Sequence, residues 1–429
     1  MDAGKSQAAA RLRRAAATTC AHTIVDFFSF VLIALMPLLA ARLDLDQPQK
    51  AMVIGLGSVA SGLIQPIVAV LSDRHDSRVL GTIGMLVAVV AISSVGLVEH
   101  YWQLLAVQAI GAAGIGAFHP IAAATIGSLA GGRRTRFVAV FFLAGMIGGV
   151  LGNTLAPRYV LLMSRIGNAE PDVEQGLHAL LWLMVLGGAG VLMLSWAMHG
   201  VSHRAQDAED HHARLSARER SARWAAVALL FVGNVIRFCT NMALVYLIVE
   251  WSTQLTAQRH VGAGVNAVGM LASQLNGPLQ AAQQVGMGIG GITLGMVLTV
   301  RYEKAVFIVF PLVGALAIGL IPACSHLPTG LVVPIAFAAI FFAGLGFGSV
   351  VPVSIAMAQR LLPHRTSLAS GLMMGGAWAL AVLGPHFAGA VQHWWGLDVS
   401  FYATGLLLAT AGVLAIALPG GLIRQTGEA

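Results

Sequence analysis

The stretch GIGAFHPIAAATIGSLAGGRRTRF, residues 114–137, places a His-Pro pair inside an apolar run that ends at a group of arginines. In a soluble protein the proline would interrupt a helix, and an unpaired buried histidine would be destabilising. In a membrane, neighbouring helices can repair the hydrogen bond that Pro120 removes, and ionisable side chains are functional candidates. The role of His119 therefore depends on whether this segment crosses a membrane.

The whole chain has the composition of a multi-pass membrane protein. Its 429 residues are 57% hydrophobic and 10% charged, whereas soluble domains carry about 25% charged residues. Apolar runs of about 20 residues, the length that a helix needs to span a bilayer, recur along almost the whole chain. The net charge of +7 comes from cations spread through short loops. This pattern favours cytoplasmic loops of a membrane protein and argues against nucleic-acid binding.

Apolar windows predict twelve membrane-spanning helices, called spans one to twelve. The first window is too long for the core of a signal peptide and lacks a convincing cleavage site, so we interpret it as a span. The fold class expected from the pattern is an all-α membrane protein. The predicted spans lie near 17–41, 51–71, 79–98, 102–129, 137–163, 177–198, 224–250, 281–300, 305–324, 330–358, 366–391 and 397–418.

Positively charged residues orient these spans. Cytoplasmic loops of membrane proteins are enriched in Lys and Arg. If the N-terminus is inside, most of the 25 Lys and Arg residues fall on the cytoplasmic side and Arg237 falls within a span. An odd number of spans would scramble this distribution. We therefore expect both termini in the cytoplasm, in a bacterial-type cytoplasmic membrane. Separately, we expect the protein to be a monomer. The residues left outside are Arg42, Lys50, Arg158, Arg165 and Arg259.

The longest cytoplasmic loop divides the chain after span six. On either side of it, GIGAFHP (114–120) and GFGSVVP (346–352) share the spacing G-x-G-x-x-x-P, and Arg-Thr follows each 13 or 14 residues later. Six plus six spans with such a repeat are typical of transporters that bind substrate near the middle of the membrane. We predict an N-terminal half at 1–198, a linker at 199–223 and a C-terminal half at 224–429.

Spans one and four carry candidate sites for protons and substrate. His22 and Asp26 are four residues apart, so they lie on one helix face, where an imidazole and a carboxylate can share a proton. The alternative is a structural hydrogen bond near the cytoplasmic end of the helix. His119 is a candidate substrate ligand, and its alternative is a neutral imidazole bonded to a backbone carbonyl.

Span seven carries Arg237, whose buried guanidinium needs an anion. That anion could be Asp26 or a carboxylate or phosphonate of a substrate. Asn234 and Asn241 lie on the same helix face as Arg237. Other polar or aromatic side chains within the spans are candidate substrate contacts, namely Gln65, Asn153, Gln284, Trp378 and His386.

No pattern in the sequence predicts a catalytic residue, a metal site or a cofactor. The G-x-G-x-x-G series that begins at Gly286 lies inside a span rather than in a soluble βαβ unit, so helix packing explains it better than a dinucleotide. The linker histidines lack a regular ligand spacing. Small residues of span five predict a smooth face for close helix packing; they are Gly145, Gly149, Gly152 and Ala156.

These features resemble the major facilitator superfamily and, within it, the fosmidomycin resistance protein family. The carrying motifs are the His22–Asp26 pair, FHP (118–120), and GGRR (131–134) followed by FFLAGMIGGVLGN (141–153). SDRHDSR (72–78) is similar to the superfamily's loop motif between spans two and three. The resemblance implies a secondary transporter in which Asp73, Arg74 and Arg78 form a conformational latch.

The sequence departs from that family at two places. Family members usually continue FHP with Glu-Ala-Ser-Arg, whereas this chain has Ile121 and Ala124 at the positions of the Glu and the Arg. The segment 251–280 also differs, and we expect it to form a long outer segment. The missing acid leaves proton coupling and substrate as open questions.

Three functions compete. The first, implied by the resemblance, is proton-coupled antiport that exports a small polar or amphipathic, in some cases anionic, compound by alternating access. The second is uptake of an organic anion by symport or facilitation, with Arg237 holding the acid group. The third is a membrane sensor that does not transport, which the buried polar residues of spans one, four and seven disfavour.

Overall fold

In a computed structural model, the backbone is described for residues 2–74, 78–130, 134–199 and 216–428. Within these ranges the side chains at 2–8, 69–70, 72–74, 78, 134–136, 217, 364, 366–367 and 427–428 are not described. The described chain is helical and contains no strand within these ranges.

Eight α-helices precede the long linker. They are α1 (Asp2–Ala34), α2 (Met36–Arg42), α3 (Gln47–Arg74), α4 (Arg78–Ser93), α5 (Tyr101–Ala130), α6 (Arg134–Ser164), α7 (Val173–His178) and α8 (Leu183–Met198). Short 3-10 turns at Ser94–Leu97 and Ala179–Trp182 extend α4 and join α7 to α8.

The helices after the linker include several that are broken within one span. They are α9 (Ala217–Arg259), α10 (Val265–Val297), α11 (Glu303–Cys324), α12 (Thr329–Gly348), α13 (Val350–Leu361), α14 (Thr366–Gly371), α15 (Ala377–Ala379), α16 (Leu383–Trp395), α17 (Leu397–Leu414) and α18 (Gly420–Glu428). A π-helical segment at Leu372–Gly376 joins α14 to α15.

The helices account for the twelve predicted spans. In the described ranges, eleven helical stretches are long and apolar enough to cross a membrane. The twelfth is α10, a helix of 33 residues whose polar side chains lower its mean hydropathy. At a rise of about 1.5 Å per residue, α10 is longer than a bilayer core is thick. The prediction of an all-α membrane protein is confirmed.

Span one is broken at Leu35, between α1 and α2. Pro37 has no N–H to donate to the carbonyl four residues earlier, which is that of Ile33. Asn276 of α10 supplies the donor, with its Nδ2 at 2.8 Å from the Ile33 oxygen and 3.1 Å from that of Ala34. Side-chain donors from α10 thereby satisfy carbonyls that lipid could not satisfy.

The segment 251–280 is helical up to Arg259 and again from Val265, so helix extends beyond the predicted ends of spans seven and eight. Its position outside the membrane stays a prediction. Helix α9 continues to Arg259 and α10 begins at Val265, well before the predicted start of span eight at residue 281. Ser273 and Asn276 are 0% exposed, and Ser273 Oγ accepts the Leu38 N–H at 3.1 Å. The predicted start of span eight is displaced because a hydropathy window scores serine and asparagine as solvent-exposed. Here these side chains form hydrogen bonds with backbone groups of α1 and α2.

The glycine face of α6 packs against α1, as its small residues predicted. A Cβ at Gly148 would overlap the carbonyl of Thr23, and one at Gly152 would overlap the carbonyl of Phe27. Thr23 Oγ1 also donates to the Ala144 carbonyl at 3.1 Å. Because glycine has no side chain, the backbones of α6 and α1 approach closely at these positions.

The chain forms two compact units. Unit 1 comprises Met1–Gln49, Leu63–Gln206 and Ser252–Ala281, and unit 2 comprises Lys50–Gly62, Asp207–Trp251 and Ala282–Ala429. Unit 1 contains the packed helices α1, α4, α5, α6 and α8. In unit 2, α16 packs on α9 where Gly384 meets the Cys239 carbonyl, and α12 packs on α10 where Gly344 meets the Gln283 carbonyl. The division at residues 199–223 remains a prediction from the sequence.

Candidate functional site

A His-Asp-His cluster in unit 1 joins α1 to α5. Nε2 of His22 lies 3.3 Å from Oδ2 of Asp26, and Nε2 of His119 lies 3.2 Å from Oδ1 of the same carboxylate. The one-turn spacing in α1 therefore pairs His22 with Asp26 as the sequence predicted. His119, interpreted from sequence as a substrate ligand, is brought to the other oxygen of that carboxylate by the packing of α5 on α1.

The second nitrogen of each imidazole bonds a backbone carbonyl. Nδ1 of His22 lies 2.8 Å from the Phe141 oxygen, and Nδ1 of His119 lies 2.8 Å from the Ile115 oxygen. A carbonyl oxygen only accepts, so each Nδ1 carries a hydrogen and donates it. This fixes the orientation of both rings and leaves both Nε2 atoms directed at Asp26.

Helix α6 forms the wall behind the cluster. The Phe141 ring stacks on His22 with ring centroids 3.9 Å apart. Gly145 leaves room for the ion pair, because a Cβ there would lie 2.5 Å from both Asp26 Oδ2 and His22 Cε1. The glycine-rich motif of span five thus supplies the space that the cluster occupies.

The three side chains differ in exposure. His22 is 2% exposed, Asp26 is 16% exposed and His119 is 29% exposed. His22 is therefore an internal partner of Asp26, while Asp26 and His119 remain partly exposed. The ligand atoms of the three lie within 4.8 Å of one another, a spacing that would also admit a divalent cation.

The family acid that this chain replaces with Ile121 would have faced α4. Ile121 is 0% exposed, and its side chain lies 3.0 Å from the position of a Cβ at Gly81. Ile121 therefore fills a packing position between α5 and α4. Because the Asp26 carboxylate already pairs with both histidines, the cluster has an acid without a glutamate at 121.

Arg237 lies in unit 2, buried between helices. It is 1% exposed, its Nη1 donates to Asn234 Oδ1 at 3.2 Å, and its guanidinium carbon lies 5.0 Å from the centroid of the Phe307 ring. Among the described residues, its Nε has no hydrogen-bond partner. A cavity of about 10 Å³, the space of about one water molecule, adjoins the side chain and is lined mainly by apolar residues.

Asn234 links Arg237 to the π-helical segment. Its Nδ2 lies 2.7 Å from Ser354 Oγ and 3.2 Å from the Met373 carbonyl oxygen. A π-helical turn interrupts the regular hydrogen-bond pattern of a helix, and here one of its carbonyls accepts a side-chain donor. Asn234 and Arg237 form one network, as their shared helix face predicted.

The other candidate substrate contacts are distributed over both units. In unit 2, Gln283 Nε2 donates to Asn241 Oδ1 at 2.6 Å, and Trp378 Nε1 donates to Ser61 Oγ at 3.0 Å. His386 Nδ1 lies 2.9 Å from the Val382 oxygen, which repeats the local bond of His119 to the carbonyl four residues earlier. The rest are buried Gln284 in unit 2 and, in unit 1, buried Asn153 and half-buried Gln65.

The side chains of the predicted latch, Asp73, Arg74 and Arg78, lie outside the described residues. The backbone places Asp73 and Arg74 at the end of α3, and Arg78 at the start of α4.

The sequence reading missed an ion pair in unit 2. Lys50 at the start of α3 pairs with Glu250 of α9, and Gln392 of α16 donates to the same carboxylate at 3.0 Å. Glu250 is 9% exposed and Lys50 is 15% exposed. The sequence places Lys50 outside the membrane, and its partner becomes visible only through the packing of α3 and α9.

Comparisons with known proteins agree with this architecture. The family model of the Major Facilitator Superfamily matches residues 18–277. The fosmidomycin resistance protein of Escherichia coli (strain K12) is 24% identical over 411 residues, covering 94% of this chain and 92% of that protein. The uncharacterized MFS-type transporter YfnC of Bacillus subtilis (strain 168) is 21% identical over 408 residues, covering 93% and 90%.

Solved transporters share the fold. A bacterial homolog of the human lysosomal transporter Spinster, in an inward-facing and unoccupied conformation, matches with a TM-score of 0.65 at 15% identity, over 98% of this chain and 97% of that one. A structure of proton dependent oligopeptide transporters matches with a TM-score of 0.69 at 14% identity, over 97% and 100%. The chain is therefore a member of the Major Facilitator Superfamily, a multi-pass membrane transporter rather than an enzyme.

Proposed function

We propose that this transporter is proton-coupled and that the cluster of His22, Asp26 and His119 is its proton-binding site. As the resemblance to the fosmidomycin resistance protein suggests, it would export a small polar or amphipathic compound by antiport and alternating access. Organic anions are among the candidate substrates. Fosmidomycin is the first compound to test.

One observation carries the proposal: a carboxylate inside the membrane lies between two imidazoles whose second nitrogens are fixed by backbone carbonyls. Such a carboxylate can take up or release a proton with little movement of the backbone, because the imidazoles remain in place. Intramembrane groups of this kind mark proton relays in transporters. The exposure of Asp26 and His119 gives protons a way in.

The competing proposal is uptake of an organic anion by symport or facilitation. It is supported by Arg237, for which no carboxylate partner is recorded among the described residues. In the antiport proposal the substrate and the proton move in opposite directions, and in the symport proposal they move together. A transport assay in proteoliposomes with an imposed pH gradient of either sign distinguishes the two.

The test of proton coupling is Asp26→Asn. This amide cannot release a proton, so the variant should lose transport driven by a pH gradient and retain exchange of labelled against unlabelled substrate. The matched control is Glu174→Gln, which removes a carboxylate that pairs with His178 one turn away, at 49% exposure. A variant at Asp26 that still accumulates substrate in response to the pH gradient would refute the proposal. Loss of coupling on treatment of the parent protein with EDTA would instead favour a bound cation.

The proposed topology places both termini and the 199–223 linker in the cytoplasm of a bacterial-type inner membrane. In a cysteine-free background, single cysteines at Ser216 and Val261 would be labelled with an impermeant maleimide in intact cells. Val261 is 89% exposed in the turn between α9 and α10, and we expect labelling there and none at position 216. Labelling of both positions from the same side would contradict the topology. Light scattering of the purified protein tests the expected monomer.

A further inference from the structure

We propose that the closed cluster of His22, Asp26 and His119 carries one net positive charge and binds a monoanionic group of the substrate together with a proton. This inference rests on the proton-binding role proposed for the cluster, not on the direction of coupling, and it names the substrate class that the same site would take. It follows from counting the hydrogens that the observed contacts require.

Each contact to Asp26 needs a hydrogen between nitrogen and oxygen. Both Nδ1 atoms already donate to the carbonyls of Phe141 and Ile115, so a neutral imidazole would present only a lone pair at Nε2. A lone pair that faces a carboxylate oxygen is repelled by it. The separations of 3.3 and 3.2 Å are hydrogen-bond contacts only if each holds a proton, on the imidazole or on the carboxyl group.

The charge of the cluster follows from that count. With no proton in either contact, two neutral imidazoles and one carboxylate carry a single negative charge. One proton makes the cluster neutral and leaves one contact without a hydrogen. Two protons satisfy both contacts and give a single positive charge, whichever atoms hold them.

No other charged group of the described residues offsets this charge. The charged groups that act on Asp26 are His22 and His119. Helix α6 faces the cluster with Phe141 and Gly145, and α5 adds Phe118 beside His119; none of these side chains titrates. A net charge inside a membrane is unfavourable unless a counter-ion neutralises it.

A monoanion is the counter-ion that fits. His119 is the most exposed of the three groups, at 29%. An imidazolium there can turn its Nε2–H from Asp26 Oδ1 to a carboxylate or phosphonate oxygen of the substrate, while Asp26 remains paired with His22. The result is two imidazoliums, one carboxylate and one bound anion, which together are neutral. A neutral or cationic solute would leave the positive charge uncompensated.

Binding of the anion and of the second proton is therefore cooperative. By linkage, a proton that raises the affinity for the anion is itself held more tightly when the anion is bound. A substrate whose anionic group binds here would move in the same direction as that proton. For such substrates the cluster favours symport over antiport.

The experiment measures binding of three monoanions to the purified protein by thermal shift between pH 5.5 and 8.5. They are acetate, benzoate and the monomethyl ester of methylphosphonate, and acetamide is the uncharged probe. At the acidic end at least one anion should raise the melting temperature, and acetamide should not. Because the anion binds together with the second proton of the cluster, its affinity depends on that proton. Above the pH at which the cluster without anion loses this proton, the affinity for the anion should fall by about tenfold per pH unit. A pH indicator in weak buffer should register proton uptake on binding.

His119→Gln leaves His22 and Asp26 paired without net charge, so it should abolish both anion stabilisation and proton uptake. His178→Gln, which removes an exposed histidine paired one turn from Glu174, should change neither. The inference is overturned if no anion stabilises the protein at pH 5.5, if an anion binds without proton uptake, or if His119→Gln binds it as the parent does. Loss of proton-driven transport in Asp26→Asn would still support the proposed function in that case.

Discussion

Gly145 of α6 lies directly against the carboxylate of Asp26, so that a methyl group at position 145 would come 2.5 Å from Oδ2. It would also come 2.7 Å from Nε2 of His22. The contact joins the glycine motif of span five to the proposed proton site on span one. Both features were visible in the sequence, but their contact was not.

Gly145→Ala is expected to separate His22 from Asp26, because the added Cβ would overlap atoms of both side chains. Overpacking of this kind typically costs about 1–3 kcal/mol, and here it acts on the pair itself. We expect the variant to lose proton-driven transport by at least about tenfold, a change in rate that corresponds to about 1.4 kcal/mol. Transport in proteoliposomes and the melting temperature are the two measurements.

Gly188→Ala is the control, because a Cβ at Gly188 of α8 would meet nothing within 4 Å. It should transport like the parent. If Gly145→Ala also transports normally in response to a pH gradient, the His22–Asp26 contact is not required for coupling.

Asn276→Ala is expected to destabilise unit 1. It leaves the carbonyls of Ile33 and Ala34 without their side-chain donor, and an unsatisfied buried polar group costs about 1–3 kcal/mol. Chemical denaturation in detergent measures the loss. Asn266→Ala, at an exposed position in the first turn of α10, is the control and should change stability by less than about 0.5 kcal/mol. Equal stability of the two variants would show that α10 does not support the break in span one.

Lys50→Met is expected to destabilise unit 2, because it removes the cation that pairs with the Glu250 carboxylate and leaves the neutral donor of Gln392 in place. Removing one partner of a buried pair costs about 3 kcal/mol, and the partial exposure of Lys50 reduces this figure. A double-mutant cycle with Glu250→Gln isolates the pair. The pair of Arg42 and Glu174 is the comparison, and its coupling should be smaller, because Glu174 is 49% exposed whereas Glu250 is 9% exposed. Equal coupling energies in the two cycles would contradict the expectation.

Arg237→Lys and Arg237→Gln test whether the guanidinium takes part in substrate binding. Lysine keeps the charge and loses the planar geometry, so we expect Arg237→Lys to weaken binding of a confirmed ligand and Arg237→Gln to weaken it further. Neither change breaks an ion pair recorded among the described residues, so both proteins should fold. Unchanged affinity in both variants would assign Arg237 to its network with Asn234 and Phe307.

Local periodicity was enough to predict the pair within span one. His22 and Asp26 share a helix face at one-turn spacing, and helix geometry alone brings them together. His119 lies on another helix, and its contact with Asp26 depends on the packing of α5 against α1. Helix periodicity carries no information about that packing, so the sequence identified His119 as important and gave it a different partner.

Hydropathy did not predict the first turns of α10, where polar side chains form hydrogen bonds with the backbone of other helices. The first turns of α10 contain serine, asparagine and glutamine at positions that a window average scores as water-exposed. Ser273 and Asn276 instead face the break that Pro37 makes in span one. The proline could be read from the sequence, but which distant residues repair its effect depends on the three-dimensional arrangement.

The bond between Asn276 and Ile33 has a consequence for biosynthesis. Its two ends are separated by 243 positions, so the ribosome delivers span one to the membrane long before it makes the donor that completes it. Until α10 is inserted, two carbonyls in the first helix lack that donor. A nascent chain that ends before α10 should therefore hold its first helix loosely and be cleared by membrane proteases. Supplying the remainder of the protein as a separate polypeptide should protect it.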